Sequence, residues 1–325
     1  MRVAVLGAGA WGTAISCVLA ARLEVTLWAR DRAQAATIGA TRRNERYLPG
    51  FELPSTVRVT AALGEATRDA QLLLAATPVA GLRALLGALA APAPLVWLCK
   101  GFEEGTGELP HQIARAALGA KGRFGALSGP SFAEEVARGL PCALTLASQD
   151  AAFARESAAL LHGGRMRVYY SSDLVGVEIG GAVKNVMAIA AGISDGMGLG
   201  LNARAALITR GLAEIARLGT ALGGQPETFM GLAGAGDLIL TATGDLSRNR
   251  RVGLELARGR ALTDIVATLG HVAEGVHSAR EVAKLAAKHR VDMPVSVAVG
   301  AVLDGRITAA AAVEQLLARE SKMER

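Results

Sequence analysis

The sequence contains little cysteine and few aromatic residues. Its 325 residues include three cysteines, and aromatic residues make up 4% of the chain. Cys17, Cys99 and Cys142 are far apart and form no Cys-x-x-Cys pair. This excludes a disulfide-rich fold and favours reduced thiols in a cytoplasmic protein. The core must therefore be mainly aliphatic, and a hydrophobic fraction of 51% is enough for two domains.

The sequence also lacks the patterns of metal sites and nucleic-acid-binding tails. None of its five histidines stands in a His-x-x-x-His pattern, so no metal is implied. The net charge is +6, and the sequence contains no long block of like charges. The densest basic cluster is Arg248, Arg250 and Arg251. Such a mild excess suits small phosphorylated ligands better than nucleic acid. Met1 leads directly into an apolar strand, so we expect no signal peptide.

A glycine-rich turn follows the first predicted strand. Arg2–Leu6 runs into Gly7-Ala-Gly-Ala-Trp-Gly12, and an apolar helix follows. In this strand–turn–helix context the pattern predicts a dinucleotide-binding turn. Gly7 would form the turn, Gly9 would let the pyrophosphate approach the backbone, and Gly12 would allow close helix–strand packing.

The end of the second predicted strand, Glu24–Trp28, bears on the choice of nucleotide. NAD-preferring sites usually place an acid here to bind the ribose 2′-hydroxyl, whereas an arginine favours a 2′-phosphate. Arg30 stands at about this position and Arg32 is nearby, but a shift by one residue would put Asp31 there. We therefore expect NADPH, with NADH as the alternative.

Apolar strands alternate with helices as far as residue 172. This alternation predicts a Rossmann-type, doubly wound, mostly parallel sheet over residues 1–172. Lys100, Gly129 and Ser131 follow predicted strands, and ligands of such sheets bind at the carboxyl ends of strands. The predicted strands after the second are Val57–Val59, Gln71–Ala76, Leu95–Cys99, Phe124–Leu127, Ala143–Ala147 and Met166–Tyr170.

Residues 173–325 show no convincing strand and predict an all-α second domain. Two glycine-rich segments interrupt its helices, Gly231–Asp237 and Thr241–Ser247. Ser247 is a natural N-cap, and a helix start that carries Arg248, Asn249 and Arg251 predicts a phosphate site. Asp237 suits two roles equally well, a hydrogen bond to a substrate hydroxyl or the cap of a turn.

One lysine stands alone in an apolar stretch of this second half. Lys184 is the only charged residue between Glu178 and Asp195, and small residues such as Gly180 leave its helical face open to a ligand. A desolvated lysine has a lowered pKa and can act as a general base. The alternative is a lysine whose stem packs in the core while its amine reaches water. We expect the apolar part of this stretch to be too short, and too interrupted by Gly and Lys, to span a membrane.

Together these motifs resemble the bacterial NAD(P)-dependent glycerol-3-phosphate dehydrogenases. The similarity covers nearly the whole chain, and the segments that carry it are Gly7–Ala14, Leu127–Ala133, Gly176–Gly211, Gly231–Asp237 and Ser247–Asn249. It implies reversible hydride transfer between NAD(P)H and dihydroxyacetone phosphate, giving sn-glycerol 3-phosphate for phospholipid synthesis. It also allows a homodimer.

The resemblance implies a role for individual residues as well. Lys184 matches the proton acceptor. The implied substrate contacts are Lys100, Gly129, Ser131, Lys184, Asp237, Ser247, Arg248 and Asn249. The implied cofactor contacts, beyond the glycines of the turn, are Ala10, Trp11, Arg30, Lys100, Ala133, Arg248, Val272 and Glu274. Ala10 departs from the Ser or Thr often found in the family, which leaves a contact through the backbone only.

Two alternatives stay open from the sequence. One is another two-domain NAD(P)-dependent dehydrogenase that acts on a 2-hydroxy acid or a sugar acid. Its substrate would need a carboxylate site in place of the Ser247–Asn249 phosphate site. The other is a non-catalytic NADPH-binding sensor, which would bind the nucleotide but show no dependence on Lys184.

Overall fold

The computed structural model describes residues 1–90, 93–119, 122–269 and 273–320. It divides into two compact units, Met1–Glu178 and Ile179–Arg325. The division falls inside a helix, whereas the predicted boundary at residues 172 and 173 precedes that helix. The start of the helix belongs to the first unit because buried Glu178 accepts a hydrogen bond from the backbone N–H of His111 at 2.9 Å and also contacts its ring. The predicted limits of the functional domains stay a prediction.

The first unit is built on an eight-stranded sheet in the order β10-β9-β8-β7-β6-β1-β2-β5. Its strands are β1 (Arg2–Leu6), β2 (Glu24–Trp28), β5 (Arg58–Thr60), β6 (Leu72–Ala75), β7 (Leu95–Trp97), β8 (Phe124–Ser128), β9 (Cys142–Ala147) and β10 (Met166–Ser171), and a separate hairpin pairs β3 (Arg43–Asn44) with β4 (Leu48–Glu52).

The sheet is mostly parallel, as the sequence predicts. Every neighbouring pair is parallel except β8 and β9, which are antiparallel. Strand β1 lies between β2 and β6, so the order of the chain reverses beside the strand that ends in the glycine-rich turn. Such a reversal is where doubly wound sheets bind their ligands.

The helices of the first unit connect these strands. They are α1 (Ala10–Leu19), α2 (Arg32–Thr41), α3 (Leu63–Thr67), α4 (Val79–Gly87), α5 (Pro110–Leu118), α6 (Ala133–Ala137) and α7 (Ala151–Leu161). The eight predicted strands are all present, with ends that differ by a few residues. The β3–β4 hairpin was not predicted, because its strands are short and β4 contains Pro49 and Gly50, which are poor strand formers.

The remaining helices begin with α8, which crosses the division at residue 178. They are α8 (Leu174–Gly196), α9 (Gly200–Ala221), α10 (Pro226–Met230), α11 (Asp237–Thr243), α12 (Arg248–Ala257), α13 (Leu262–Leu269), α14 (Glu274–His289), α15 (Pro294–Leu303) and α16 (Ala309–Leu317). No strand lies in the described residues after Ser171. Together with the parallel sheet, this confirms the predicted fold class.

Helix α8 is both long and apolar. It has 23 residues and a mean hydropathy of 1.5 in its most apolar window, so by length and composition alone it could cross a membrane. The expectation that this stretch is too short was therefore wrong. However, 89% of that window is buried inside the protein, as in the core helix of a globular fold. Its buried polar residues are Glu178, Lys184, Asn185 and Ser194.

The glycine-rich segment Gly231–Asp237 is helical and not the predicted interruption. Leu232–Gly236 forms a π-helix that continues directly into α11. A Cβ on Gly234 would lie 2.1 Å from the carbonyl oxygen of Phe229, so this close path of the chain requires glycine.

Glycines also set the packing around α8. A Cβ on Gly180 would lie 2.5 Å from the carbonyl oxygen of Ala233, and one on Gly192 would lie 2.0 Å from that of Arg250. The open side of Gly180 is therefore filled by the protein backbone, and the expectation that this residue leaves room for a ligand was wrong. These glycines let the π-helix and α12 approach α8 closely.

We predict that Gly192→Ala destabilises the protein. The new methyl group would overlap the Arg250 carbonyl, and overpacking of this kind lowers the free energy of unfolding by about 1–3 kcal/mol. Urea denaturation measures the effect. Gly300→Ala in α15 is the control, because its Cβ would meet nothing nearer than 3.9 Å and alanine favours helix. Equal stability of the two variants would contradict this packing argument.

Candidate active site

The glycine-rich turn of the first unit combines two closed positions with one open position. Gly7 has φ +130°, and its Cβ would lie 2.7 Å from the carbonyl oxygen of Ala76. A Cβ on Gly12 would lie 1.9 Å from the carbonyl oxygen of Gly7. Gly9, by contrast, has no atom within 4 Å of its Cβ position, and α1 begins one residue later at Ala10. The turn is therefore shaped by the fold at Gly7 and Gly12 and is open at Gly9, which fits the approach of a pyrophosphate.

Two buried hydroxyl groups lie near the carboxyl ends of β6 and β8, the two strands that flank β7. Thr77 follows β6, and Ser128 is the last residue of β8. Within the described residues, Thr77 Oγ1 and Ser128 Oγ have no hydrogen-bond partner. Buried polar atoms are normally satisfied, so a bound ligand or its water shell is a suitable partner at this edge of the sheet.

Four predicted site residues of the first unit form one hydrogen-bonded group. Lys100 Nζ and Ser131 Oγ both donate to the carbonyl oxygen of Gly129, each at 3.1 Å. Trp11 Nε1 donates to the carbonyl oxygen of Ser131 at 2.9 Å. The structure thus connects the glycine-rich turn to the segment after β8. Ala133, another predicted residue, begins α6 just beyond this group.

The residues after β2 bear on the choice between Arg30 and Asp31. Asp31 Oδ1 accepts hydrogen bonds from the backbone N–H groups of Ala33 at 2.8 Å and Gln34 at 3.3 Å. Asp31 is therefore the N-cap of α2, and its carboxylate already has a structural role. Arg30 is exposed at the end of β2. This arrangement favours Arg30 over Asp31 as the residue that meets the nucleotide ribose.

Sequence reasoning missed two side chains that support the turn. Asn44 in β3 donates to the carbonyl oxygen of Ala8 at 2.9 Å and to Thr13 Oγ1 at 2.7 Å. Gln34 donates to the same Ala8 carbonyl at 2.8 Å. Both residues are distant from the turn in sequence, and no motif marks either of them.

In the second unit, Lys184 is buried together with an acid. Lys184 is 6% exposed and Asp237 1% exposed. The ammonium group forms an ion pair with Asp237 Oδ1 and donates to Thr241 Oγ1 at 3.0 Å. Thr241 in turn donates to the backbone carbonyl of Asp237 at 2.6 Å. The alternative in which the amine reaches water is therefore wrong, and Asp237 pairs with the lysine instead of only capping a turn.

The predicted phosphate site lies at the start of α12. Ser247 Oγ accepts from the backbone N–H of Arg250 at 3.2 Å, which confirms the predicted N-cap. Asn249 donates to Asn185 Oδ1 at 3.0 Å and accepts from the backbone N–H of Gly275 at 3.1 Å. Ser247 and Asn249 are buried, whereas Arg248 is exposed.

One more predicted cofactor residue lies in α14. Glu274 is its first residue and is adjacent to Gly275, the residue that Asn249 contacts. Val272 lies outside the described residues. Contacts of all these residues with a ligand stay predictions.

Models of one protein family match most of the chain. Residues 2–154 match the N-terminal part of NAD-dependent glycerol-3-phosphate dehydrogenase, and residues 173–314 match its C-terminal part. The chain belongs to this family.

Individual family members are similar over their full length. The chain is 60% identical to a glycerol-3-phosphate dehydrogenase (NAD(P)+) of Dechloromonas aromatica over 327 residues, which cover 100% of this chain and 99% of the relative. A crystal structure of glycerol-3-phosphate dehydrogenase from Coxiella burnetii superposes with a TM-score of 0.93 at 40% identity, covering 98% of this chain and 99% of that one.

A structure of D-mandelate dehydrogenase with NADH is also similar, with a TM-score of 0.60 at 14% identity, covering 94% of this chain and 98% of that one. At this identity the likeness shows the fold alone.

We predict that Lys184→Met destabilises the protein through Asp237. The carboxylate would stay buried without this counter-charge, which costs about 3–5 kcal/mol in comparable cases. Urea denaturation measures the loss. The double variant Lys184→Met/Asp237→Asn removes both charges and should recover a large part of the stability. If the double variant were less stable than Lys184→Met, the two charges would not be coupled as the structure indicates.

Proposed function

We propose that the protein is an NAD(P)-dependent sn-glycerol-3-phosphate dehydrogenase that reversibly reduces dihydroxyacetone phosphate to sn-glycerol 3-phosphate. The observation that carries the proposal is the buried Lys184–Asp237–Thr241 group, in a family member whose glycine-rich turn fits a dinucleotide. The proposed metabolic role is the supply of glycerol 3-phosphate for phospholipid synthesis.

Lys184 is the proposed acid and base. When bound, NAD(P)H supplies the hydride that reduces C2 of the substrate. The ammonium group of Lys184 donates a proton to the oxygen of the C2 carbonyl, and in the oxidising direction the neutral amine takes the proton of the C2 hydroxyl. Asp237 and Thr241 hold the amine in one position, so that it need not be oriented at each turnover.

Arg248 is the proposed side-chain ligand of the substrate phosphate. It is exposed in the first turn of α12, where the helix dipole and the first backbone N–H groups also favour an anion. Ser247 and Asn249 use their side chains in hydrogen bonds within the protein, which supports an indirect part for them in shaping the turn.

Lys100 and Arg30 of the first unit are the proposed contacts of the substrate and of the nucleotide. Lys100 adds positive charge that would stabilise the developing alkoxide, and its contact with Gly129 together with Ser131 orders this segment. Arg30 favours NADPH because its guanidinium group can bind the 2′-phosphate of that nucleotide, and NADH is the proposed second cofactor.

The proposed location is the cytoplasm, which the low cysteine content and the absence of a Cys-x-x-Cys pair from the sequence support. Burial raises the pKa of Cys17 to about 11, which keeps its thiol protonated and unreactive at neutral pH.

A homodimer is proposed from the family resemblance, and light scattering during size-exclusion chromatography would test it.

The first functional prediction concerns Lys184. The wild-type protein should oxidise NADPH with dihydroxyacetone phosphate, and Lys184→Met should lower kcat/KM by about 10²–10⁴-fold, as expected for loss of a general acid. Absorbance at the nicotinamide band measures turnover, and NADPH fluorescence checks that binding is kept. Turnover of 2-keto acids instead would favour a 2-hydroxy-acid dehydrogenase. Tight NADPH binding with no turnover of either substrate would favour a sensor.

The second concerns Arg248. Arg248→Ala should raise the KM for dihydroxyacetone phosphate by about 10–100-fold, because a charge-assisted hydrogen bond to the phosphate contributes about 1.5–3 kcal/mol. Arg258→Ala at the other end of α12 is the matched control, since Arg258 is exposed and pairs only at the surface with Glu255. Steady-state kinetics at saturating NADPH measures both. An unchanged KM in Arg248→Ala would remove Arg248 from the phosphate site.

The third concerns Arg30. Arg30→Asp should lower the preference for NADPH over NADH by about tenfold or more, because it replaces a cation at the 2′-phosphate with an anion. The ratio of kcat/KM for the two nucleotides measures the change, and the KM for dihydroxyacetone phosphate serves as the internal control. An unaltered ratio would mean that another residue binds the 2′-phosphate.

A further inference from the structure

The arginines at the start of α12 differ in whether they can bind a ligand, because Arg248 is exposed and Arg250 is not. Arg250, two residues after Arg248, has a side chain that is only 12% exposed. Its Nε and Nη2 atoms each lie 2.8 Å from Asp195 Oδ2, and its Nη1 donates to Asp245 at 2.9 Å. These carboxylates occupy the guanidinium group of Arg250, so it is not itself a suitable phosphate ligand.

Asp195 belongs to the last turn of α8, the helix that carries Lys184. Its side chain is 12% exposed, and the same oxygen also accepts from Arg204 of α9 at 3.1 Å. An ion pair with so little exposure gains little net stability, because both charges lose their hydration. It does, however, fix the relative position of the groups that it joins.

Helix α12 is in fact joined to α8 at two separate points. Near Lys184, Asn185 accepts from Asn249 at 3.0 Å, and about three turns later Asp195 binds Arg250. Between them the backbones are close, since a Cβ on Gly192 would lie 2.0 Å from the Arg250 carbonyl. Two attachments along one helix resist both rotation and sliding of α12. The exposed side chain of Arg248 and the first N–H groups of α12 are thereby kept in one place relative to Lys184.

We propose that Arg250 and Asp195 form a positioning pair for the phosphate site. They hold the first turn of α12 so that Arg248 and the helix N-terminus meet the phosphate of the substrate while its carbonyl meets Lys184. The proposal rests on the proposed function and adds two residues that contact neither substrate nor cofactor.

The test compares Arg250→Met, Asp195→Asn, the double variant and the conservative variant Arg250→Lys. Each of the first two should weaken binding of inorganic phosphate, and raise the KM for dihydroxyacetone phosphate, by about tenfold. The double variant should be no worse than either single variant, because the two residues act as one unit. Arg250→Lys should recover part of the loss. Titration calorimetry measures phosphate binding without any turnover, and thermal unfolding checks that each variant is folded.

Two controls separate positioning from general stability. Arg280→Met breaks the ion pair of Arg280 with Asp304 in the same unit and should leave phosphate binding and KM unchanged. The Kd for NADPH should also stay unchanged in the Arg250 and Asp195 variants. If Arg250→Met does not fold, Asp195→Asn carries the test, since it keeps the shape of the side chain.

Three results with the variants would overturn the pair. They are unchanged phosphate affinity in both single variants, losses that multiply in the double variant, and an equal loss in Arg280→Met. A wild-type protein that does not bind phosphate would overturn it as well. If the wild type binds phosphate and both single variants weaken that binding, but the protein does not reduce dihydroxyacetone phosphate, the pair stands and the proposed function fails.

Discussion

The ion pair between Lys184 and Asp237 is the interaction on which the second unit depends. An ammonium group that is 6% exposed loses nearly all of its hydration, and it is tolerated only if another charge and further hydrogen bonds replace the water. Asp237 supplies the charge and Thr241 a further oxygen. Both belong to α11, so their contacts with Lys184 fix the position of α11 along α8. A charge held in this way can meet a substrate oxygen without rearrangement, which is what proton transfer in an active site requires.

Close approach of these helices is possible because glycine replaces larger residues at the contacts. The π-helix before α11 passes Gly180, and α12 passes Gly192, at distances that a methyl group would not permit. Gly253 of α12 makes the reciprocal contact, since its Cβ would lie 2.1 Å from the carbonyl oxygen of Ile189. The glycines around the lysine are thus required by the close packing of the helices. This packing sets the distances between the residues of the site.

The sequence predicted those features that are local in the chain. Alternating apolar strands and helices identified the sheet, and a strand before Gly7 with a helix after Gly12 identified the turn. The sequence singles out Lys184, because a lone charge in an apolar helix needs a function or a partner. The sequence does not indicate the roles of Thr241, Asn185 and Asn44, because each acts through a partner that only tertiary packing brings near. For the same reason the sequence does not decide the role of Asp237, whose ion pair with Lys184 forms only in the folded protein.

The start of α12 shows why a motif is not a list of ligand contacts. From the sequence, Ser247, Arg248 and Asn249 look like one phosphate-binding unit. In the fold, Ser247 and Asn249 turn inward and use their polar atoms on Arg250, Asn185 and Gly275, and only Arg248 faces outward. Buried polar groups must find partners within the protein, so inward-facing members of a motif are constrained by the fold before any ligand arrives. Replacing them should therefore disturb substrate binding through the shape of the turn, whereas replacing Arg248 removes a charge and leaves the turn intact.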